Sequence, residues 1–289
     1  MVRQTFNWGN KTYIMGVINM SPESFSGDGF DDVNKAISHA NNLVEDGADI
    51  LDIGGKSSRP PLAKHVENQI RNNKSQSNLE DVDIDEELKR VIPVIKKLSS
   101  LVSVPISIDT YNPEVAQKAL EAGATIINDI WGLKADPKLA AVAAEFDAQL
   151  VLMHNQEDTE YLDLISDIKT SLVNSVKVAI QAGVAEENII LDPGFGFGKL
   201  PKQNILLLRR LNELKAIGFP ILIGTSNKST IGSILDLPID KRSEGTAATV
   251  AISIANGADI IRVHNVKSMS LVSKMTDAII RYQCAESNG

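Results

Sequence analysis

The sequence is most constrained by an alternation of short apolar runs with helical patterns, which repeats along almost the whole chain. Eight runs rich in Ile, Val and Leu begin at Thr12, Ala48, Pro105, Thr125, Gln149, Asn188, Pro220 and Asp259. Helical patterns lie between them, for example at 33–44, 86–98, 113–121, 137–146, 162–181, 204–216 and 246–256. Strands that are apolar on both faces and separated by helices are typical of a parallel sheet. Eight such α/β units favour a closed (β/α)8 TIM barrel over an open doubly wound sheet.

Three junctions between a helix and the following strand repeat one local pattern. The segments EDGADILDI, EAGATIINDI and ANGADIIRV each place glycine where the helix would end. Glycine suits the left-handed cap of a helix, so the fold alone explains it. Five residues after each glycine the apolar strand carries a polar residue, which is Asp52, Asn128 or Arg262. These three residues need another explanation.

Length and composition limit the class of protein. The chain has 289 residues, of which 43% are hydrophobic and 23% charged, and we expect 1–289 to form a single domain. The polar segment 61–83 follows the second strand and predicts a loop insert. Without an apolar run of about 20 residues or a secretory signal, a cytoplasmic location and no membrane partner are expected. A net charge of -8 disfavours a nucleic-acid partner, and one cysteine, Cys284, excludes disulfide frameworks and thiolate metal clusters.

Polar residues gather near the predicted carboxyl ends of the strands, where a TIM barrel builds its active site. The set comprises Asn19, Asp52, Arg59, Asp109, Asn128, Asp129, His154, Asn155, Asp192, Ser226, Lys228, Arg262 and His264. Chance would place a few polar residues there as caps or hydrogen-bonded core groups. Their density predicts a polar ligand that is held from several sides.

Two kinds of charged group stand out within this set. Arg262 and His264 lie two residues apart on one strand face and suit a phosphate, as does Lys228 at the head of a short helical stretch. Asp109 and Asp192 could accept paired hydrogen bonds, act as acids or bases, or form salt bridges. Each residue also has a purely structural interpretation, and these patterns alone do not choose between the alternatives.

The segment DPGFGFGK carries three closely spaced glycines, Gly194, Gly196 and Gly198. Their spacing differs from the GxGxxG pattern that cradles a dinucleotide phosphate, and no long helix follows at once. We therefore interpret the segment as a turn that allows a ligand to approach closely.

The order of the motifs carries a resemblance to a known family. The segments GVINMSPESFSGDG, DIGGKSSRP, ISIDT, INDI, LMHN, ILDPGFGFGK, IGTSNKSTIG, EGTAATVA and RVHN resemble the successive motifs of dihydropteroate synthases, from about Tyr13 to His264. The resemblance implies a transferase of folate biosynthesis and a target of sulfonamides. It would condense 6-hydroxymethyl-7,8-dihydropterin diphosphate with 4-aminobenzoate and release 7,8-dihydropteroate and pyrophosphate. It also implies Mg²⁺ as cofactor and a homodimer.

Carried over residue by residue, the resemblance implies three subsites. The pterin would be bound by Asp109, Asn128, Asp192 and Lys228, with Ile130, Met153 and Arg262 against its faces. The diphosphate would lie against Asn19, Arg59, Arg262 and His264, with Asn19 also binding Mg²⁺. The aminobenzoate would be enclosed by Phe25, Ser58, Pro60, Phe197 and Ser229. The implied catalytic groups are Lys228, Arg262 and His264, which would stabilise the leaving pyrophosphate as the pterin-methylene C–O bond ionises.

Two alternatives stay open, and departures from the family pattern motivate the second of them. Lys56 stands where the family usually has an acidic residue, and Asn227 stands where it usually has arginine. Milder departures are Glu23, Ser58, Pro61 and Asn265. One alternative is a methyltransferase of the same superfamily, which would use methyltetrahydrofolate and a corrinoid protein. The other is a pterin-binding homologue with weak catalysis.

Overall fold

The computed structural model describes residues 6–21, 29–56 and 83–281, and its strands form one eight-stranded parallel sheet. The strands are β1 (Tyr13–Asn19), β2 (Ile50–Gly54), β3 (Ile106–Asp109), β4 (Ile126–Asp129), β5 (Gln149–Met153), β6 (Ile189–Asp192), β7 (Leu222–Ile223) and β8 (Ile260–Val263). β1 pairs with both β2 and β8, so the first and last strands are neighbours. A bridge between Leu191 and Ile221 joins β6 to the residue before β7 and closes the sheet. The predicted (β/α)8 barrel is confirmed.

Helices follow the strands and cover the outside of the sheet. In the described ranges they are α1 (Val33–Glu45), α2 (Ile84–Leu98), α3 (Pro113–Ala122), α4 (Lys138–Glu145), α5 (Leu164–Gln181), α6 (Pro201–Arg209), α7 (Ser229–Leu235), α8 (Ser243–Ala255) and α9 (Val266–Ile280). α5 begins two residues later than predicted because the Asp163 side chain accepts a hydrogen bond from Ser166 N and caps the helix there. The single helix predicted at 204–216 is wrong: α6 ends at Arg209, and a 3-10 helix continues from Leu211 to Ile217.

The three repeated junctions adopt the predicted helix caps. Gly47, Gly123 and Gly257 have φ angles of 104°, 118° and 99°, in the left-handed region. Glycine alone enters this region without a steric penalty, so it ends each helix and allows the chain to turn into the next strand. Because of the shared pattern, β2, β4 and β8 each begin at an equivalent position after the preceding helix.

The lower half of the barrel interior, at the amino ends of the strands, is filled by apolar side chains. This apolar plug consists of Phe6, Tyr13, Met15, Ile50, Ile126, Val151, Ile190, Leu222 and Ile260. The ring of Phe6 stacks on Trp8 at 4.9 Å and meets Tyr13 edge-on at 4.7 Å between centroids. Burying an isoleucine side chain stabilises a fold by about 1.5–3 kcal/mol. The plug closes this end of the barrel and leaves the other end for polar groups.

Four further expectations concern other parts of the chain or the chain as a whole. No helix in the described ranges is long and apolar enough to cross a membrane. The predicted insert at 61–83 lies outside the described residues, apart from Asp83 at the start of α2. The single-domain boundary of 1–289 and the cytoplasmic location stay predictions.

Candidate active site

On four strands the residue two positions beyond the apolar plug is polar. The pairs are Ile50 and Asp52 on β2, Ile126 and Asn128 on β4, Ile190 and Asp192 on β6, and Ile260 and Arg262 on β8. Alternate residues of a strand point to the same side of a sheet, so these polar side chains face the barrel interior. We call Asp52, Asp109, Asn128, Asp192 and Arg262 the polar layer, and it lies directly above the plug.

Arg262 is the centre of the polar layer. Its Nε donates to Asp52 Oδ2 at 2.6 Å, and its Nη2 donates to Asp109 Oδ2 at 2.7 Å. Asn128 Nδ2 donates to the same Asp52 oxygen at 3.2 Å. Burial opposes the charge on Arg262, but the two carboxylates outweigh burial and raise its pKa. A guanidinium has five N–H groups, so about three remain for a ligand.

The other charged groups of this region have shifted pKa values. Burial raises the pKa of Asp109 to about 7, against the opposing charge of Arg262. Burial also raises the pKa of Asp192 to about 6, although Gly194 N donates to its Oδ1 at 2.7 Å. Burial lowers the pKa of Lys228 to about 7, and the positive charge of Arg262 adds to this shift. Several groups can therefore change protonation near neutral pH when a ligand binds, as is common at functional sites.

An apolar cluster adjoins the polar layer. It consists of Ile130, Met153 and Phe197, with Tyr111 and Trp131 packed against it. Lys228 Nζ lies 4.0 Å from the centroid of the Phe197 ring, close enough for a cation–π contact. A site with apolar walls and carboxylates beside them suits a flat heterocycle that carries N–H donors.

The predicted glycine turn between β6 and α6 is present, but its close contacts are made to the protein itself. Gly194, Gly196 and Gly198 have φ angles of 70°, 85° and 55°. A Cβ atom at Gly194 would lie 1.9 Å from His154 O, and one at Gly198 would lie 2.6 Å from Gln156 O. Gly194 and Gly198 therefore allow the turn to pack on the loop after β5, whereas Gly196 allows the side chain of Lys228 to approach the turn, and none of the three contacts requires a ligand.

Other predicted residues lie at the same end of the barrel without a described contact to the polar layer. His264 Nδ1 is 2.9 Å from Ser226 Oγ, Asn19 ends β1, and Ser229 begins α7 with an exposed side chain. Asp129 points into its own loop, where its carboxylate accepts from the backbone N–H groups of residues 131 and 133. Lys56 Nζ donates to Tyr111 OH at 3.2 Å.

Some predicted residues cannot be placed. Phe25, Ser58, Arg59 and Pro60 lie outside the described residues, and so does Pro61. Their roles stay predictions. Within the part of the chain that the structure describes, no group of three or more His, Cys, Asp or Glu is arranged to hold a metal ion.

Two residues have a larger role in the site than the sequence interpretation assigned to them. Asp52 was noted for its position in the repeated junction but was not assigned to a subsite, and it proves to be an anion partner of Arg262. The repeated junction was the signal that could have placed it beside Asn128 and Arg262. Lys199, in the glycine turn, donates to two backbone carbonyls and contacts His154 Nδ1 from a buried position. No spacing in the sequence indicates that its side chain folds back on the turn.

Comparisons with known proteins agree with the family resemblance of the motifs, both in sequence and in fold. Residues 15–264 match a family described as "Pterin binding enzyme". A dihydropteroate synthase of Bacillus subtilis is 46% identical over 275 residues, covering 95% of this chain and 90% of the relative. A dihydropteroate synthase of Clostridium difficile, solved in the presence of pteroic acid, is 48% identical, with a TM-score of 0.85, and covers 96% of this chain and 100% of its own. The enzyme of Xanthomonas albilineans, solved with 4-aminobenzoic acid, is 33% identical, with a TM-score of 0.83 and 95% of each chain covered.

Proposed function

The chain belongs to the dihydropteroate synthases of the pterin-binding enzyme family, and from this premise we propose that its polar layer and the adjoining apolar cluster bind and activate the pterin. The enzyme is a transferase of folate biosynthesis. It condenses 6-hydroxymethyl-7,8-dihydropterin diphosphate with 4-aminobenzoate to give 7,8-dihydropteroate and pyrophosphate. The observation that carries the proposed site is the joining of Arg262 to Asp52 and Asp109 directly above the apolar plug.

The pterin subsite follows from the chemistry of its walls. Asp192 and Asp109 offer carboxylate oxygens, and Asn128 offers an amide, which together match the donors and acceptors along one edge of a pterin. Ile130 and Met153 supply apolar contact for the ring face. Because the carboxylates are buried, each hydrogen bond to the pterin forms without competition from bulk water, which strengthens it.

The diphosphate subsite rests on two cations at the rim. Arg262 keeps N–H groups that the described contacts do not use, and Lys228 lies at the start of α7, where the region after strand seven of a barrel commonly binds phosphate. Asn19 ends β1, and His264 directly follows the adjoining strand β8. Both residues would extend this subsite. Phe197 and Ser229 would line the aminobenzoate side.

Magnesium fits this donor set only as a partner of the substrate. Mg²⁺ prefers about six oxygen ligands and usually keeps several waters while it binds substrate phosphates. Asn19 provides one amide oxygen at the end of β1, and the described residues hold no cluster of carboxylates or histidines for a resident metal. Most ligands would therefore come from the diphosphate and water. When bound there, Mg²⁺ would neutralise part of the charge on the diphosphate.

The reaction needs no nucleophilic side chain from the protein. The C–O bond to the diphosphate breaks, its electron pair leaves with pyrophosphate, and the electron-rich pterin delocalises the positive charge on its methylene carbon. Arg262 and Lys228 donate hydrogen bonds to the departing oxygens, and each such contact is worth about 3 kcal/mol in a preorganised site. The lone pair of the arylamine then forms the C–N bond, and the nitrogen loses a proton. Holding the amine beside the carbon supplies the remaining advantage.

The test of the function is a product assay with purified protein. Dihydropteroate formation from the pterin diphosphate, 4-aminobenzoate and Mg²⁺ is expected, and Asp192→Asn should weaken pterin binding measured by calorimetry. Methyl transfer from methyltetrahydrofolate to a corrinoid protein, in place of that product, would identify the methyltransferase alternative. Tight pterin binding without turnover at any magnesium concentration would identify the weakly catalytic alternative.

We also propose that the enzyme is a homodimer that buries an apolar stripe on α9. Leu271, Met275 and Ile279 are 65%, 63% and 66% exposed and recur every four residues, so they lie on one helix face. Ile252 on the adjacent α8 is half exposed and extends the stripe. Contiguous exposed apolar surface of this kind commonly marks a protein interface. Sedimentation equilibrium should give a dimer, and Met275→Glu should shift it toward the monomer, whereas a monomeric wild type would contradict the proposal.

A further inference from the structure

Lys199 is a buried lysine that the proposed reaction does not use. It lies in the turn between β6 and α6, and only 8% of its surface is exposed. Its Nζ lies 2.9 Å from Gly194 O, 3.0 Å from Phe197 O and 3.0 Å from His154 Nδ1. A buried lysine is rare unless its charge is satisfied, so this contact set calls for an explanation.

The contacts limit the protonation states of the pair. Gly194 O and Phe197 O can only accept, so Nζ donates to both of them. Towards His154 Nδ1, an ammonium donates and a neutral amine accepts from Nδ1–H, and the imidazole ring is neutral in both cases. Burial and the nearby positive charge of Lys199 lower the pKa of His154 to about 2, in agreement with a neutral ring. Burial lowers the pKa of Lys199 to about 7, while the negative charge of Asp192 raises it.

The three contacts of Lys199 reach both sides of the proposed site. Gly194 accepts from Lys199 with its carbonyl and donates with its N–H to Asp192 Oδ1. Phe197 accepts from Lys199 with its carbonyl, and its ring contacts Lys228. One side chain therefore holds Gly194, whose N–H orients Asp192, and Phe197, whose ring contacts Lys228. The third contact, to His154, anchors the turn to the loop after β5.

We propose that Lys199 is a positioning residue that holds the pterin subsite and the aminobenzoate subsite in register, through Asp192 and Phe197 respectively. It contacts the protein rather than either substrate. The inference rests on the proposed function, because it assumes that Asp192 binds pterin and that Phe197 lines the aminobenzoate side. Its distinctive consequence is that one substitution outside both subsites weakens both of them together.

The test is Lys199→Met, which keeps an unbranched side chain of similar length and removes the amino group. We expect the pterin dissociation constant, measured by calorimetry, and the KM for aminobenzoate each to rise about tenfold, the scale of one lost charge-assisted hydrogen bond. Both values are referred to the folded fraction, determined by circular dichroism, so that a loss of stability alone does not move them. A shift of less than twofold in both, or a shift in only one, would overturn the proposal.

Lys134→Met is the matched control. Lys134 also donates to a backbone carbonyl, that of Asn155 in the loop after β5, but it is exposed, makes no described hydrogen bond with the glycine turn, and acts on Lys199 through its positive charge alone. Its substitution should leave both constants within twofold of wild type. Equal shifts in the two lysine variants would mean that loss of any loop contact is enough, and the specific role of Lys199 would be rejected.

A second pair of variants covers the case in which Lys199→Met does not fold. His154→Leu removes one of the three partners of Nζ and leaves Lys199 in place, whereas His154→Gln retains a polar side chain. We expect His154→Leu to raise both constants about threefold and His154→Gln to raise them less. Unchanged constants in folded His154→Leu would count against the proposal. Failure of the wild type to bind pterin at all would instead reject the proposed function.

Discussion

The two halves of the barrel interior use the same strands for opposite purposes. Below, Ile50, Ile126, Ile190 and Ile260 belong to an apolar plug. Two residues further along the same four strands stand Asp52, Asn128, Asp192 and Arg262. An advance of two residues is only about 7 Å along a strand. The chemical character of the interior therefore changes from hydrocarbon to charge within one side-chain layer.

The difference between the halves is energetic as well as chemical. Apolar burial in the plug favours folding. The upper layer buries three carboxylates, Asp52, Asp109 and Asp192, and burying charge opposes folding unless partners compensate. Asp52 Oδ1 is buried and has no hydrogen-bond partner among the described residues. We conclude that the plug stabilises the fold. The polar layer lowers this stability and provides the groups that recognise the ligand.

The largest effect should come from the plug. Ile126 is fully buried, and Ile126→Ala should lower the free energy of unfolding by about 2–5 kcal/mol because it leaves a cavity. Pterin affinity of the folded variant should stay within twofold, since Asn128 remains in its place. Urea unfolding and calorimetry measure the two quantities. A large loss of affinity at constant fold would show that the two halves are not separable.

The next largest effect should come from the centre of the polar layer. Arg262→Ala should lower kcat/KM at least a hundredfold, about 3 kcal/mol, because the departing pyrophosphate loses a charged donor. Stability should fall as well, because Asp52 and Asp109 lose the cation that they share in a buried position, although Asp109, with its pKa raised to about 7, can take up a proton. Steady-state kinetics and urea unfolding would check both claims. Turnover close to wild type would remove Arg262 from the mechanism.

Asp52 should affect kcat/KM because it holds Arg262 in place, and not because it contacts the substrate. Asp52→Asn keeps the shape of the side chain and removes one of the two carboxylates that hold the guanidinium. We expect about a tenfold loss of kcat/KM, near the lower end for a hydrogen bond to a charged group. In the Arg262→Ala background the same substitution should have little further effect. Additive losses in that double variant would contradict the positioning role.

The pH dependence of kcat/KM should report the polar layer as a group. Below about pH 7 Asp109 takes up a proton, and below about pH 6 Asp192 does so as well, whereas above about pH 7 Lys228 and Lys199 each lose a proton. We therefore expect a narrow bell-shaped profile with its maximum near pH 7. Lys228→Arg should flatten the alkaline limb, because arginine stays protonated. An unchanged alkaline limb in that variant would assign it to another group.

The smallest effect should come from Asn227, the departure from the family pattern beside Lys228. Asn227 has a φ of 58° and accepts from Arg242 Nη1 through its carbonyl at 2.8 Å. Asn227→Arg would restore a cation near the mouth but place a long side chain in a left-handed conformation, at a cost of about 1 kcal/mol. We expect kcat/KM to change by less than threefold and the melting temperature to fall by a few degrees. A tenfold gain in kcat/KM would show that the missing cation limits the enzyme.

The sequence predicted the barrel and most of the strand-end residues because both follow from local patterns. The repeated junction marked Asn128 and Arg262 as polar residues at equivalent positions of otherwise apolar strands. The pairing of Asp52 with Arg262 spans 210 residues and depends on the closure of the sheet, so the repeated junction could indicate their shared layer but not their hydrogen bond. The contacts of Lys199 were missed for a related reason: the path of a long flexible side chain is decided by acceptors that only the folded turn provides.

The elements least well predicted were those whose ends depend on packing. The run that begins at Pro220 was expected to be a full strand, but β7 contains two residues, Leu222 and Ile223. Pro220 cannot donate a backbone hydrogen bond, and Gly224 offers no side chain to pack, so neither extends the strand. The helix expected at 204–216 begins earlier because proline at 201 occupies its first turn, a position that favours helix initiation.

The repeated junction gives the binding site a modular construction. Three units of the cylinder each deliver one side chain to its central axis by the same route, a capped helix followed by five residues. A ligand on that axis therefore meets side chains that three separate modules supply and that hydrogen-bond to one another. Its recognition can be altered through one module while the remaining strands continue to hold the cylinder together, so ligand preference can diverge within this architecture without rebuilding the scaffold.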